Sequence, residues 1–187
     1  MSDLTITHAG IAVTPKRAGS SISTGKRRVI RVTATTGGDT VATNDVFFTN
    51  VEVPNAVKEE GGISCLKKMY IVNNGAIDGN IIFTEKSCTL GTLNDAVDIS
   101  EANLKTAGVL GVGFFDATSD TDSRLVNTKI IQGFSNSTQD SSNEVSVTDI
   151  FLKAASGSTS VYCHFVAASN STSAATDGLQ LIFHLEH

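Results

Sequence analysis

Apolar and polar side chains alternate along much of the chain, and this pattern predicts β-strands. The clearest case is the C-terminal run, in which Leu179, Leu181, Phe183 and Leu185 occupy every second position. Because successive side chains of a strand point to opposite faces of its sheet, such a run creates one apolar face. Less regular alternation, rich in residues that favour β structure, predicts further strands at 4–13, 30–35, 45–53, 66–72, 80–84, 109–115, 126–132, 145–152 and 161–166.

One short segment is predicted to be helical, at residues 100–107. Ser100 is a suitable N-cap, Glu101 places a negative charge in the first turn, and Gly108 is a typical stop signal. The connectors elsewhere are rich in glycine, serine, threonine, asparagine and aspartate, which favour turns. Eight to ten strands with one short helix predict an all-β fold, an antiparallel β-sandwich that is jelly-roll-like or a related Greek key.

The chain divides into a basic leading segment and one sandwich domain. Residues 1–28 are expected to form a basic N-terminal arm, or a first strand followed by a loop, and residues 29–185 to form the β-sandwich. Glu186 and His187 resemble the start of a polyhistidine tag, so we expect both to be foreign to the natural protein. A chain of 187 residues can bury a core without disulfide bonds, and its three cysteines are expected to be free thiols.

Charge is distributed unevenly along the chain. Residues 1–31 carry six basic side chains and one acidic side chain, whereas the rest of the chain carries eight basic and eighteen acidic side chains. This asymmetry predicts that the leading segment contacts an acidic surface, with a solvated loop as the alternative. No aromatic residue is interleaved with these charges, so nucleic acid is not expected as a partner. The candidate partner-binding residues are Lys16, Arg17, Lys26, Arg27, Arg28 and Arg31.

The motifs that would indicate chemistry are incomplete. The glycines of 108–113 lack the order of a dinucleotide-binding loop, and there is no nucleophile-elbow motif. Cys163 and His164 are adjacent on a predicted strand, so they point to opposite faces and cannot bind one metal ion together. We therefore predict no catalytic residue, no cofactor and no metal site. A weak cation site, for which a solvated turn is the favoured alternative, is conceivable at Asp116, Asp120 and Asp122.

Six short segments of the sandwich region carry a resemblance to a known class of proteins. They are VIRV at 29–32, VEVPNAV at 51–57, GGI at 61–63, TLGTLNDAV at 89–97, LKAASG at 152–157 and GLQL at 178–181. Together they resemble small virion structural proteins of tailed bacteriophages, of the head-decoration and fibre-like kinds. The resemblance implies a β-sandwich displayed on the virion as a symmetric assembly, of which a homotrimer is the favoured form, with the major capsid protein of the same virion as its partner.

The predicted function is therefore that of a capsid decoration, or cement, protein that binds the head shell through its basic leading segment. The alternative is a tail or fibre module that binds a host receptor or glycan through the loops 117–122, 135–143 and 169–177. Two tyrosines and no tryptophan make a poor platform for stacking on sugars. No enzyme activity is expected.

The expected location follows from what the sequence lacks. No apolar run approaches the ~20 residues that a membrane-spanning helix requires, so no membrane partner is expected. The first five residues lack the basic and apolar regions of a secretion signal. We expect synthesis in the host cytoplasm and incorporation into the virion.

Overall fold

The computed structural model describes eight stretches of the chain, at residues 6–8, 11–13, 27–37, 40–73, 78–115, 129–133, 150–172 and 179–187. Strands make up most of these stretches, and one helix interrupts them. The elements are β1 (Ile6–His8), β2 (Ile11–Val13), β3 (Arg27–Ala34), β4 (Thr40–Val41), β5 (Val46–Val53), β6 (Ile63–Asn73), β7 (Gly79–Thr84), α1 (Glu101–Ala107), β8 (Val109–Phe115), β9 (Lys129–Gly133), β10 (Ile150–Lys153), β11 (Val161–Ala167), β12 (Ser171–Thr172) and β13 (Leu179–Glu186).

Two antiparallel sheets pack face to face and form a sandwich. The first has the strand order β10–β6–β13–β3, and the second has the order β5–β11–β7–β8. The pairs are nested, because β3 pairs with β13, β5 with β11, β6 with β10 and β7 with β8. The chain thus behaves as one long hairpin rolled into two sheets, which is the arrangement of a jelly roll. The predicted all-β sandwich is confirmed.

Smaller ladders complete the described structure. β6 is eleven residues long, so one edge of it pairs with β10 near its start and with β9 near its end. The prediction of a single strand at 4–13 is wrong, because β1 and β2 pair with each other as the two arms of a hairpin. Only two residues, one of them glycine, separate these arms. Such a short connection is typical of hairpins, and the alternation of apolar residues alone does not reveal it.

The predicted helix at 100–107 is confirmed as α1. The Ser100 hydroxyl accepts a hydrogen bond from the Asn103 N–H at 3.2 Å, which satisfies one of the free donors at the helix start. Gly108 ends the helix in the left-handed region, with φ of 72°. An i, i+4 ion pair between Glu101 and Lys105 joins the first and last turns.

The centre of the core is aromatic. The Phe165 ring of β11 lies 5.8 Å from the Phe47 ring, 5.5 Å from the Phe48 ring and 6.1 Å from the Phe115 ring, measured between centroids. All four side chains are fully buried. Burial of rings this large accounts for much of the apolar area that folding removes from water.

The two sheets meet through residues that the alternation pattern identified. The apolar positions of β13 that the alternation predicts to share one face are all buried, while the positions between them are not. Phe183 of this strand contacts Phe83 of the second sheet edge-on, with 6.2 Å between ring centroids. The pattern of β13 therefore correctly predicted both a strand and its inner face.

We expect Phe165→Ala to lower the free energy of unfolding by about 3–5 kcal/mol, because it removes the ring around which three others pack. Val112 is 44% exposed, so Val112→Ala should change stability by no more than about 0.5 kcal/mol. Urea unfolding of both variants and the wild type measures the difference. Similar losses for the two variants would show that this aromatic cluster is not the centre of the core.

Candidate functional site

The outer face of the first sheet carries cationic side chains from β3. Ile30 and Ala34 of this strand are buried. Alternation then places Arg27, Val29 and Arg31 on the opposite, outer face, and all three are exposed. Two of the predicted partner-binding arginines therefore lie on one solvent-facing surface.

The sheet register brings lysines of β6 onto this same surface. β13 lies between β3 and β6, so each outward residue of β13 has a neighbour on both sides. Nothing in the local sequence connects β3 with β6, since more than thirty residues separate their starts. The rows of directly paired residues are Arg27–Glu186–Cys65, Val29–His184–Lys68 and Arg31–Ile182–Tyr70.

These rows border a cleft of about 580 Å³, which we call the basic cleft. Four of its side chains are cationic and one is a carboxylate, although the whole protein has a net charge of −5. The carboxylate of Glu186 lies 3.6 Å from the Lys67 Nζ at the rim. An excess of positive charge in a concave surface favours an anionic partner. The lining residues are Arg27, Arg28, Val29, Lys67, Lys68, Tyr70, His184, Leu185 and Glu186.

Two aromatic rings stiffen the floor of the basic cleft. Tyr70 and His184 pack edge to face with 5.4 Å between ring centroids. Both side chains are half-buried, and they lie on neighbouring strands of the ladder. Because this contact adds to the backbone pairing, the cationic groups around it stand on a rigid surface.

Arg28 occupies a different position from Arg27 and Arg31, at the end of the sandwich. Its Nη1 donates a hydrogen bond to the Asn55 carbonyl at 3.2 Å, which fixes the guanidinium against a loop. Burial lowers the pKa of His187, and the positive charges of Arg28 and Lys58 lower it further. Arg28 therefore extends the positive region from the cleft towards the C-terminal residue.

The described residues include three of the six predicted partner-binding side chains. β3 begins at Arg27 and β13 ends at Glu186, so the first sheet includes two residues assigned to the arm and one assigned to a tag. The three aspartates proposed for a weak cation site also lie outside the described residues. The other three predicted partner-binding residues, which lie outside as well, are Lys16, Arg17 and Lys26.

Sequence reasoning missed Lys67 and Lys68, which lie on β6 and line the cleft beside the predicted arginines. Two adjacent lysines in a strand are an ordinary feature of a solvated face. Only the pairing of β13 with both β3 and β6 shows that they share a surface with Arg27. No signal in the sequence defines that pairing, because it is non-local.

A second polar cluster surrounds His164 on the outer face of the second sheet. Two residues of β5, Thr49 and Asn50, stand opposite His164 where the register shifts, which defines a β-bulge. Asn50 is in the left-handed region with φ of 54°. The His164 Nδ1 accepts a hydrogen bond from the Asn50 N–H at 3.0 Å and from the Thr49 hydroxyl at 3.0 Å. The imidazole thus satisfies a backbone donor that the bulge removes from the ladder.

The hydrogen bonds assign the tautomer of His164. Because Nδ1 is an acceptor, Nε2 carries the proton and donates it to the Thr84 hydroxyl, 3.0 Å away. Thr84 in turn donates to the Lys86 carbonyl at 2.9 Å. His164 is fully buried, and this burial lowers its pKa to about 4. The ring is therefore neutral near pH 7.

Cys88 lies beside this imidazole, with its Sγ 3.7 Å from Nε2. The thiol also borders a hollow of about 310 Å³ next to α1. Burial raises the pKa of Cys88, although a hydrogen bond with Thr84 opposes the shift. Because the Nε2 near this thiol already carries a proton, it cannot accept the proton of the thiol, so this pair does not produce a thiolate nucleophile. Cys163, the neighbour of His164, points into the core, as the alternation predicts.

Across the part of the chain that the structure describes, no three His, Cys, Asp or Glu side chains converge as metal ligands do. In those same stretches, no helix is long and apolar enough to cross a bilayer. The basic cleft is therefore the candidate site with the clearest chemical preference.

Comparison with known proteins gives no relative for this chain. No protein-family model matches the sequence, and a search of curated proteins finds no similar one. Function is therefore inferred from the geometry and the charge of the basic cleft.

We expect the stability of the protein to fall as the pH is lowered from 6.5 to about 4. In this range the unfolded chain protonates residue 164 and the folded chain does not, so acid favours unfolding by up to about 3 kcal/mol. In His164→Gln this part of the pH dependence should disappear, whereas the half-buried His184→Gln should keep it. Urea unfolding at several pH values measures the slopes, and parallel curves for the wild type and His164→Gln would contradict the assignment.

Proposed function

We propose that this chain is a structural protein of a bacteriophage virion, a decoration or cement protein that binds the major capsid protein through its basic cleft. The observation that carries the proposal is the group of cations, including Arg27, Lys67 and Lys68, that the register of the first sheet assembles around the basic cleft of an otherwise acidic protein. The resemblance of its sequence segments supplies the phage context. The jelly-roll fold supports it, because viral capsid proteins are among those that use this fold.

The electrostatics of the chain favour one docking orientation on an acidic shell. An acidic surface repels a protein with a net charge of −5 and attracts its basic cleft. The attraction between exposed charges is screened over about 8 Å at physiological ionic strength, so it acts mainly once the surfaces are close. A decoration protein that binds many identical sites on one shell must bind each in the same orientation, and this uneven distribution of charge favours one orientation.

The rigidity of the surface also suits repeated docking. The cations of the basic cleft lie on β3 and β6, which both pair with β13 between them, and neighbouring strands are spaced about 4.8 Å apart. A surface that is already ordered loses little conformational entropy when it binds. The predicted arm residues Lys16, Arg17 and Lys26 precede β3 in the sequence, so the leading segment carries further positive charge.

A binding role is proposed in preference to catalysis. The candidate with catalytic residue types, Cys88 beside His164, has a protonated thiol and a neutral imidazole. Its hydrogen bonds stabilise the bulge of β5 and the turn at Lys86. A binding role therefore accounts for more of the described structure than an enzymatic one.

Reversal of two charges in the basic cleft, Arg27→Glu with Lys68→Glu, should weaken binding to purified heads that lack this protein by at least about ten-fold, or about 1.4 kcal/mol. The control pair, Lys86→Glu with Lys105→Glu, changes the net charge equally but acts on exposed lysines outside the cleft. Co-sedimentation with heads at two salt concentrations measures the affinity. Equal losses in the two double variants would contradict a docking role for the cleft.

Removal of residues 1–26 separates the arm from the sheet. β3 begins at Arg27, so this truncation leaves every described strand of the two main sheets in place. We expect a smaller loss of head binding than the double reversal in the cleft causes. Abolished binding after truncation, with intact binding after charge reversal, would make the arm the docking element. Binding to host cells and not to heads would support the receptor-binding alternative.

A further inference from the structure

Two large apolar side chains lie exposed at the edge of the first sheet that is opposite β3. Phe151 of β10 is 64% exposed and Ile63 of β6 is 60% exposed. In the β10–β6 ladder Phe151 pairs with Cys65, and Lys153 pairs with Ile63. Phe151 and Ile63 are therefore diagonal neighbours on the outer face, within reach of each other. We call this surface the Phe151 patch.

An ion pair links the border of the Phe151 patch to the second sheet. The Lys153 Nζ lies 3.5 Å from the Glu85 carboxylate. The backbone N–H of Glu85 donates a hydrogen bond to the Gly108 carbonyl at 2.8 Å. Glu85 directly follows β7, so this ion pair marks the edge at which the two sheets approach each other.

The fold does not require an aromatic side chain at position 151. The core-facing residues of β10 are Ile150 and Leu152, which are 5% and 0% exposed. Phe151 points the other way, and any residue compatible with a strand would serve there. A large aromatic side chain in water gains free energy when a partner covers it, and such residues are common at the centres of protein interfaces.

The charges at the rim favour a second copy of this chain as that partner. The Phe151 patch is bordered by Lys153 with Glu85 on one side and by Lys67 with Glu186, 3.6 Å apart, on the other. Its rim is therefore balanced, in contrast to the basic cleft. A rim with equal positive and negative charge gives little net electrostatic attraction to a strongly acidic or strongly basic partner. A second copy presents the same lysines and carboxylates, and a two-fold axis can place each opposite the other sign.

We infer that the Phe151 patch binds the same patch of a second copy, which forms a two-fold dimer. One patch specifies this symmetry, because a two-fold contact uses the same surface on both subunits. A ring of three would require a second, complementary surface. β3 lies three strand spacings from β10, about 14 Å, so the rows at the β3 edge of the basic cleft are separate from the patch. The inference does not rest on the proposed head binding, although Lys67 and Glu186 line the cleft and also border the patch.

The mass of the protein in solution tests the inference. Sedimentation velocity over a range of concentrations should show a species of twice the 19.6 kDa chain mass. Phe151→Asp should raise the dissociation constant at least ten-fold. The matched control is Val97→Asp, at a residue that is 40% exposed and lies beside the start of β5, at the opposite edge of the second sheet from β8. A wild-type monomer at high concentration, a trimer, or equal effects of the two variants would overturn the inference.

A second measurement locates the contact without weakening it. The chain has no tryptophan, so Phe151→Trp introduces a single fluorescent reporter on the patch. We expect its emission to move to shorter wavelength as the concentration rises through the range in which the dimer forms. Emission that stays at the wavelength of a solvated indole while the mass doubles would show that the dimer uses another surface.

Discussion

The pairing of β13 with β3 on one side and β6 on the other is the interaction on which both the fold and the candidate site depend. β13 is the last strand of the sandwich, so its pairing with β3 and β6 closes long loops. Closing these loops costs conformational entropy. Burial of the inner side chains of β13, at about 1.5–3 kcal/mol for each large apolar residue, offsets that cost. Once this ladder exists, Arg27 and Lys68 lie on one surface. Without it they belong to unrelated segments.

The ladder separates the requirements of folding from those of binding. Its inner positions must be apolar, whereas its outer positions face solvent and are free to carry charge. The arginines of β3 have a structural use as well. In the described part of the chain β3 is the outermost strand of its sheet, and charged side chains on such a strand discourage uncontrolled pairing with other chains. The opposite edge, at β10, carries the exposed Phe151 instead. Charged side chains protect an edge from pairing with other chains, whereas an exposed aromatic side chain favours contact with one.

The sequence predicted the features that local physics determines. The alternation of Leu179, Leu181 and Phe183 identified a strand and its inner face, and Ser100 with Gly108 identified a helix. The surroundings of His164 were not predictable in this way. Alternation places it on the outer face of its sheet, where partial exposure is usual, but the segment after Thr84 covers it, and Leu90 holds that segment by donating its N–H to the Thr49 hydroxyl at 2.9 Å. The same limit applies to the nested pairing, because periodicity defines faces and not partners.

The two surfaces of the first sheet differ in physical character. Contacts of the basic cleft are electrostatic, so added salt weakens them, whereas burial of Phe151 and its neighbours removes apolar area from water and depends far less on salt. The proposed head binding and the inferred self-association should therefore respond differently to ionic strength. Two copies joined through their Phe151 patches would carry two basic clefts, and binding of the second cleft to a repeating shell would then be intramolecular. If the lattice spacing matches, such a pair binds more tightly than one copy without any new contact, so a weak electrostatic site would be sufficient for the proposed role.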